Sequence, residues 1–487
     1  MLKILLINAD QSWACRVKHL PELELIHPPV GLLYIAAYLK EKFQEAVQVK
    51  VSCRIVDCPD NEGFLEILRQ FNPDIVGIRG MVIHKEIFHE TARQVKIFND
   101  KIVVLGGGPY PSFDHEAIND QNIDYIVVGE GEITFGELLE KIISGQKPVE
   151  VAGIIYKNDQ GIVMNPPRPF ITDLDSLPFP DYRLIDESKY TKFLSWSHSR
   201  RRQRLIFSSR GCPYQCIYCH ALFGKTFRAR SAQNVFDEIL SGVNDFGVKD
   251  FYFIDDTFNL DYQRAMDIFD LIIKSGLKIN LYFSNGLRGD IVDKPFIDKM
   301  IQAGTIWVTY AVETGSPRLQ KYIKKNINLE KLAENIHYTC QKDILVNYFF
   351  MMGFPTETPE EALETLAYIK QFKKVAIPFF HAVRYYPGTE LCRLAVKEGF
   401  DEELIKKTYN DSYHNIIHSG TPLIPKQVFQ DIVFKFLNEV FLSKERLLNA
   451  IKIQRKFLTS QEILDTYSIF FKKRIKDFDQ EVMPYAK

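Results

Sequence analysis

The sequence predicts an α/β protein: an N-terminal doubly wound parallel sheet, a partial (β/α)6 barrel and a C-terminal helical cap. Three observations carry this. Short apolar runs alternate with helical stretches up to about residue 146 and again from Leu205 to about residue 398. Between the two runs the composition turns loop-rich, with Asn165-Pro166-Pro167 and Leu177-Pro178-Phe179-Pro180 as extended punctuation. After Gly399 apolar residues recur at three- and four-residue spacing. The expected division is 1–146, a linker at 147–198, the barrel at 199–398 and the cap at 399–487.

In the first domain, strands are read at Lys3 to Ile7, Gln48 to Val56, Ile75 to Ile78, Ile102 to Leu105 and Tyr125 to Val128. Leu32 to Phe43 and Ile87 to Phe98 read as helices between them. Sheets of this kind bind ligands at the carboxyl ends of their strands, where Gly106-Gly107-Gly108 offers close backbone approach. Tight strand-to-helix turns also use such triplets with no ligand. In the linker, Tyr156 to Gly161 is a hairpin turn.

Barrel strands are read at Leu205 to Ser209, Phe251 to Ile254, Ile279 to Phe283, Ile306 to Val312, Val346 to Met352 and Phe379 to Tyr385, with helices such as Ala232 to Val243 and Glu360 to Phe372. Functional groups in such barrels gather at the strands' carboxyl ends. Those ends carry Asp255-Asp256-Thr257-Phe258, Asn285-Gly286-Leu287-Arg288, Glu313-Thr314-Gly315-Ser316, Gly353-Phe354-Pro355 and Pro387-Gly388-Thr389. Any one of these taken alone reads equally as a helix cap or surface ion pair. The helices of the cap, Val428 to Phe441 and Glu445 to Ile453, are expected to form a lid on the barrel mouth.

At 487 residues, 46% apolar and 25% charged, the chain has the composition of a globular enzyme. A net charge of −1 argues against polyanion binding, so no nucleic-acid partner is expected. Arg200-Arg201-Arg202-Gln203-Arg204 reads as a solvated approach to the next strand. Of eight cysteines, three share one loop and five are scattered singly, which suits a reducing cytoplasm. Buried packing is the stronger reading for Cys340 and Cys392, and hydrogen-atom donation the alternative. No apolar run has the length of a transmembrane segment, and a soluble protein is expected.

The chemistry concentrates in Arg210-Gly211-Cys212-Pro213-Tyr214-Gln215-Cys216-Ile217-Tyr218-Cys219. Three thiolates on one tight loop suit three irons of a [4Fe–4S] cube and leave the fourth open. A structural zinc site is the alternative, but it wants four ligands, and His220 is poorly placed to share a metal with Cys219. This loop, preceded by Ser209 and carrying Tyr218 before the last cysteine, resembles the radical S-adenosylmethionine superfamily. The resemblance implies that Cys212, Cys216 and Cys219 hold the cluster and that the open iron chelates S-adenosylmethionine, whose reductive cleavage yields a 5′-deoxyadenosyl radical. It implies that Tyr218 and Gly353 flank the adenine, and that Asp256 and Glu313, with Arg288 and Lys324, bind the same cofactor.

In the first domain His27-Pro28-Pro29-Val30-Gly31-Leu32, Asn72-Pro73-Asp74-Ile75-Val76-Gly77, the glycine triplet and Val128-Gly129-Glu130-Gly131-Glu132 resemble the cobalamin-binding domain of one branch of that superfamily. The branch's cobalt-ligating Asp-x-His-x-x-Gly is replaced by Asn8-Ala9-Asp10-Gln11-Ser12-Trp13, so cobalamin without histidine ligation is implied. Gly106, Gly107 and Gly108 would cradle the corrin and Arg79 would face its lower side, the alternative for Arg79 being an ion-paired surface residue. Together the resemblances imply anaerobic C-methylation of an unactivated carbon in a small-molecule or natural-product substrate, with an electron donor such as flavodoxin or ferredoxin. Radical cyclisation or rearrangement is the second reading, and a non-catalytic cobalamin-binding sensor the third. No catalytic acid, base or nucleophile is assigned.

Overall fold

The computed structural model describes residues 1–10, 25–220, 222–410 and 420–468. The chain forms two compact units, residues 1–193 with 221–228 and residues 194–220 with 229–487.

In the first unit β1 (Leu2–Asn8), β2 (Val47–Cys53), β3 (Ile75–Arg79), β4 (Val103–Gly107) and β5 (Tyr125–Val127) form a parallel sheet in the order β2-β1-β3-β4-β5. Strand parity divides the core. Leu5, Ile7, Val76 and Ile78 pack with Phe64 and Leu68 of α2 (Asn61–Phe71) and Phe88 and Ala92 of α3 (Lys85–Phe98). On the opposite face a Cβ added to Gly77 would meet Leu6 and Phe135, the latter on α4 (Gly131–Ile143), which packs against α1 (Val30–Phe43). With both faces covered, the central strand reads as an unbroken apolar run.

Two differences from the sequence reading have local causes. The strand read to Val56 stops at Cys53, because Asp57 Oδ2 accepts hydrogen bonds from Cys53 N at 2.9 Å and Ser52 Oγ at 3.1 Å and turns residues 54–57 into a helical turn. The hairpin beyond residue 147 is β6 (Ile154–Asn158) and β7 (Gly161–Met164), which extends the sheet antiparallel from β5.

The second unit is a six-stranded parallel sheet in sequential order: β8 (Gln203–Ile206), β9 (Asp250–Phe253), β10 (Asn280–Leu287), β11 (Thr305–Glu313), β12 (Leu345–Met352) and β13 (Ile377–Ala382). Its ends are unpaired with each other, so it is a partial barrel. Phe251, Phe253, Leu281, Phe283, Val308, Tyr310, Val346, Tyr348 and Phe350 face the helical layer. That layer includes α5 (Ala232–Phe246), α6 (Tyr262–Ser275), α7 (Lys294–Gln302), α8 (Leu329–Thr339) and α9 (Pro359–Lys370). Thr358 and Glu361 form a reciprocal cap at the start of α9, and Pro359 supplies its first residue, which explains why that helix was legible. Between Phe283 and Leu287 the register shifts, and Ser284-Asn285-Gly286 forms an irregular rim.

The C-terminal helices correct the expectation of a lid. α10 (Lys426–Phe436), the π-helical turn Leu437–Phe441 and α11 (Lys444–Gln454) join the outer layer. Phe429, Ile432, Val433 and Phe436 share one core with Phe350, Phe380, Ala362 and Leu366, and the Phe436 and Phe350 rings lie 4.9 Å apart. The outer side of β13 is apolar and would otherwise be bare. The buried Arg446 guanidinium ties this layer down by donating to Val440 O at 2.9 Å and to Ala376 O.

The arginine run is solvated only in part, with Arg201 and Arg202 exposed. Arg200 pairs with Asp465 at 2.5 Å, Arg201 with Asp250 at 2.8 Å, and Arg204 is buried over the Phe246 ring. These contacts lie at the amino ends of the barrel strands, opposite the functional loops. Among the described residues no helix is long and apolar enough to cross a membrane.

Candidate functional site

At the carboxyl end of the barrel, the triplet after β9 grips the cysteine loop. Asp255 accepts from the Ser208 hydroxyl at 2.7 Å, and burial pushes its carboxyl above the usual range while Arg264 opposes the shift. Asp256 Oδ2 accepts from Gly211 N at 2.9 Å, and the Thr257 hydroxyl donates to Cys212 Sγ at 3.2 Å. Gly211 has φ 83°, a conformation that disfavours any side chain there. Further along, Tyr214 lies under Arg288, whose guanidinium carbon is 3.9 Å from the ring centroid. Arg288 also pairs with Asp290 at 3.0 Å and donates to Asn326 O at 3.0 Å, leaving Nη1 buried without a partner among the described residues.

Cys212 and Cys216 are half-buried and Cys219 exposed, all as free thiols. Burial pushes the Cys216 thiol up, and the Lys325 ammonium opposes this. Among the described residues no three His, Cys, Asp or Glu groups converge closely enough for a single metal ion. Three free thiols on one loop fit a polynuclear cluster, in which each sulfur binds a different iron.

Glu313, the last residue of β11, has φ 65°, in the left-handed region that a non-glycine residue enters only under local constraint. Its Oε1 accepts from Lys325 Nζ at 3.0 Å and from Tyr218 OH at 3.2 Å, so the cysteine loop and this carboxylate are one network. Burial alone would lower the Lys325 ammonium, but Glu313 and Cys216 outweigh it and raise its pKa. Lys324, one residue before, turns its half-exposed ammonium away to Glu390 at 2.7 Å. Left-handed backbone at Lys324 and Asn326 sends the neighbouring side chains apart. Gly353, with φ 107°, has both backbone groups engaged: its N donates to Glu357 Oε2 at 2.5 Å and its carbonyl accepts from Tyr385 OH. A Cβ at Gly353 would lie 3.4 Å from Phe429, so that side faces packing, not a ligand.

In the first unit, Arg79 Nη1 donates to Asn8 Oδ1 at 2.7 Å across the carboxyl ends of β1 and β3, where the strand order reverses. Beside them Asp10 Oδ1 meets His84 Nδ1 at 2.9 Å. The three glycines divide into three roles. A Cβ at Gly106 would strike Phe88 at 2.9 Å, so that glycine serves packing. Gly108 has φ 88° and a Cβ there would strike Arg79 Cγ at 2.8 Å. Gly107 alone is open, the nearest atom being Val127 O at 3.9 Å, and Gly129 at the next strand end is open too. These two positions offer a flat ligand unobstructed backbone. Gln11-Ser12-Trp13 lie outside the described residues.

The sequence reading missed Lys325, Glu357, Tyr214 and Thr257. Thr257 and Lys325 each adjoin a chosen residue, and only side-chain direction separates them. Cys340 caps α8 in the outer layer, its thiol pushed up by burial to about 12, and Cys392 packs near Ile217 and Leu391. Both are packing residues.

Comparison with known proteins agrees with this geometry. Residues 206–369 match the radical SAM superfamily and residues 20–139 the B12 binding domain. An uncharacterized methyltransferase of Pyrococcus horikoshii is 31% identical over 375 residues, 76% of this chain and 78% of that protein. The cytidylyl-2-hydroxyethylphosphonate methyltransferase of Streptomyces wedmorensis is 27% identical over 466 residues, 85% and 86% of the two chains. In fold, the chain resembles the radical S-adenosylmethionine methyltransferase TsrM of Kitasatospora setae, with TM-score 0.65, 19% identity and coverage of 80% and 75%. It likewise resembles the cobalamin-dependent radical enzyme OxsB, with TM-score 0.64, 18% identity and coverage of 98% and 72%. The chain belongs to the radical S-adenosylmethionine enzymes that carry a cobalamin-binding domain, with a [4Fe–4S] cluster, S-adenosylmethionine and cobalamin as its cofactors.

Proposed function

We propose that this enzyme methylates an unactivated carbon of a small-molecule substrate. The observation that carries the reading is the joint presence of a three-thiol loop wired to Glu313 and an open glycine platform at the strand ends of a B12 binding domain. The methyltransferase names of the two relatives support it. When bound, the cluster and S-adenosylmethionine supply a hydrogen-abstracting radical, and cobalamin supplies a transferable methyl group.

The chain's own residues do the positioning. Cys212, Cys216 and Cys219 hold the cluster. Thr257 keeps its hydroxyl within 3.2 Å of the Cys212 sulfur. Asp256 fixes the loop's first turn by accepting from Gly211 N. Lys325 and Tyr218 fix the Glu313 carboxylate, which is left to receive the amine or ribose hydroxyls of S-adenosylmethionine. The unpartnered Arg288 Nη1 is the donor left for that cofactor's carboxylate. Gly107 and Gly129 would receive the corrin, with Arg79 at the same strand ends to contact it. The electron donor is a small reducing protein such as a flavodoxin or ferredoxin, and the setting is an anaerobic cytoplasm.

The test is anaerobic incubation of the reconstituted enzyme with methyl-labelled S-adenosylmethionine and a strong reductant. The expected result is S-adenosylhomocysteine together with label in the corrinoid fraction. Formation of 5′-deoxyadenosine without S-adenosylhomocysteine would replace methylation by cyclisation or rearrangement. If neither compound appears, the sensor reading takes its place.

A further inference from the structure

The inner face of the barrel carries an aromatic wall distinct from the residues assigned above to the cofactors. Val346, Tyr348, Phe350 and Phe380 join the outer core, so the alternating residues Phe349, Met351, Phe379 and His381 face the interior. The register sets Phe349 beside Phe379 and Met351 beside His381. Ring centroids lie 5.5 Å apart for both Phe349–Phe379 and Phe349–His381, so the three rings form one continuous surface. Beside the Phe349 ring the neighbouring strands are small: a Cβ on Gly286 would sit 3.5 Å from both Ala311 and that ring.

An inward apolar face in a closed core would be filled. Here Phe349, Met351 and Phe379 are half-buried and His381 is exposed to the interior. Apolar rings left accessible on a concave face, with a few polar groups among them, mark a ligand surface. His381 is the polar member of the wall. Among the described residues neither of its ring nitrogens has a hydrogen-bond partner, and it lies within the field of Glu313 and Arg384. In its neutral form one ring nitrogen donates and the other accepts. On the β10 rim the Ser284 hydroxyl is also buried without a partner.

We propose that His381, Phe349 and Phe379 form the substrate-recognition surface of the barrel. The substrate is uncharged, with a flat unsaturated or aromatic part against the two phenyl rings and a hydroxyl or N–H group hydrogen-bonded to the imidazole. The proposal rests on the reading that this barrel end holds S-adenosylmethionine. His381 acts here as a specificity and positioning residue. A neutral imidazole gives one directional hydrogen bond, and a site built to satisfy it rejects analogues that lack the partner group.

The test uses 2-naphthol and 2-methoxynaphthalene, an aromatic pair differing in one donor, bound to the reconstituted full chain under anaerobic conditions and followed by naphthyl fluorescence. The native protein should bind the naphthol about tenfold more tightly. His381→Phe should bring naphthol down to the ether's affinity and leave the ether unchanged, and His381→Gln should restore at least half of the preference. If His381→Phe loses its cluster absorbance, His381→Ala gives the same comparison. Equal binding of the two probes by the native protein, or a preference that survives loss of the imidazole, overturns the proposal. Formation of 5′-deoxyadenosine is read in the same samples; its absence in native protein counts against the proposed chemistry and not against the wall.

Discussion

Lys325 bears most of the electrostatic load at the candidate site, because without it the Glu313 carboxylate would be buried beside cluster thiolates with only Tyr218 as donor. Leaving one partner of such a pair unpaired costs more than the pair contributes. Lys325→Met should therefore weaken S-adenosylmethionine binding about tenfold or more while iron content stays near native, measured by equilibrium dialysis and iron analysis. Lys324→Met, one residue away, should change neither. At the other cofactor, the Cβ of Gly107→Val meets no protein atom closer than the Val127 carbonyl, and the position has no left-handed backbone to strain. The variant should keep its melting temperature yet lose cobalamin affinity by about tenfold or more. Native affinity in that variant would remove Gly107 from the corrin platform.

The elements around the site are pinned by buried polar groups as well as by packing. Glu357 accepts from Gly353 N and Phe354 N, and burial still pushes its carboxyl up to about 8 against those donors. A carboxyl with a folded pKa above its unfolded value stays protonated in the folded chain while the unfolded chain ionises. Its effect on stability is thus fully favourable below about pH 4.5 and is lost as pH rises towards 8. Glu357→Gln should flatten the fall in denaturation midpoint between pH 5 and 8, and an unchanged slope would show that another group titrates. The outer helices are equally committed. Phe436→Ala, removing a ring packed 4.9 Å from Phe350, should lower barrel stability by about 3–5 kcal/mol in denaturant titration. A lid with no part in the core would show a negligible change.

In the whole molecule each unit has its own apolar core, one around Leu5, Ile7 and Phe88 and one around Phe253, Phe283 and Phe350. Loss of the cluster should then leave the first unit's ligand platform intact. Replacing Cys212, Cys216 and Cys219 together by alanine should abolish iron binding and S-adenosylmethionine cleavage but retain cobalamin binding, read by cobalt and iron content in one sample. Joint loss of both metals would mean that the platform depends on the loaded cluster.

The sequence by itself determined the two parallel sheets, because alternation of apolar runs with helical stretches is a local pattern, and it determined the cysteine loop, because all three thiols lie within eight residues. Strand ends carrying Asp256, Glu313 and Gly353 were legible for the same reason. What only the tertiary structure decided is direction and partnership. It turned Lys325 to Glu313 and Lys324 to Glu390. It set Asp256 on Gly211 N and separated one open glycine of the triplet from two closed ones. The C-terminal helices have the same apolar spacing whether they cover a barrel mouth or its outer wall; the bare side of β13 chose the wall. Periodicity records which residues seek burial, whereas the surface they are buried against depends on contacts between residues distant in the chain.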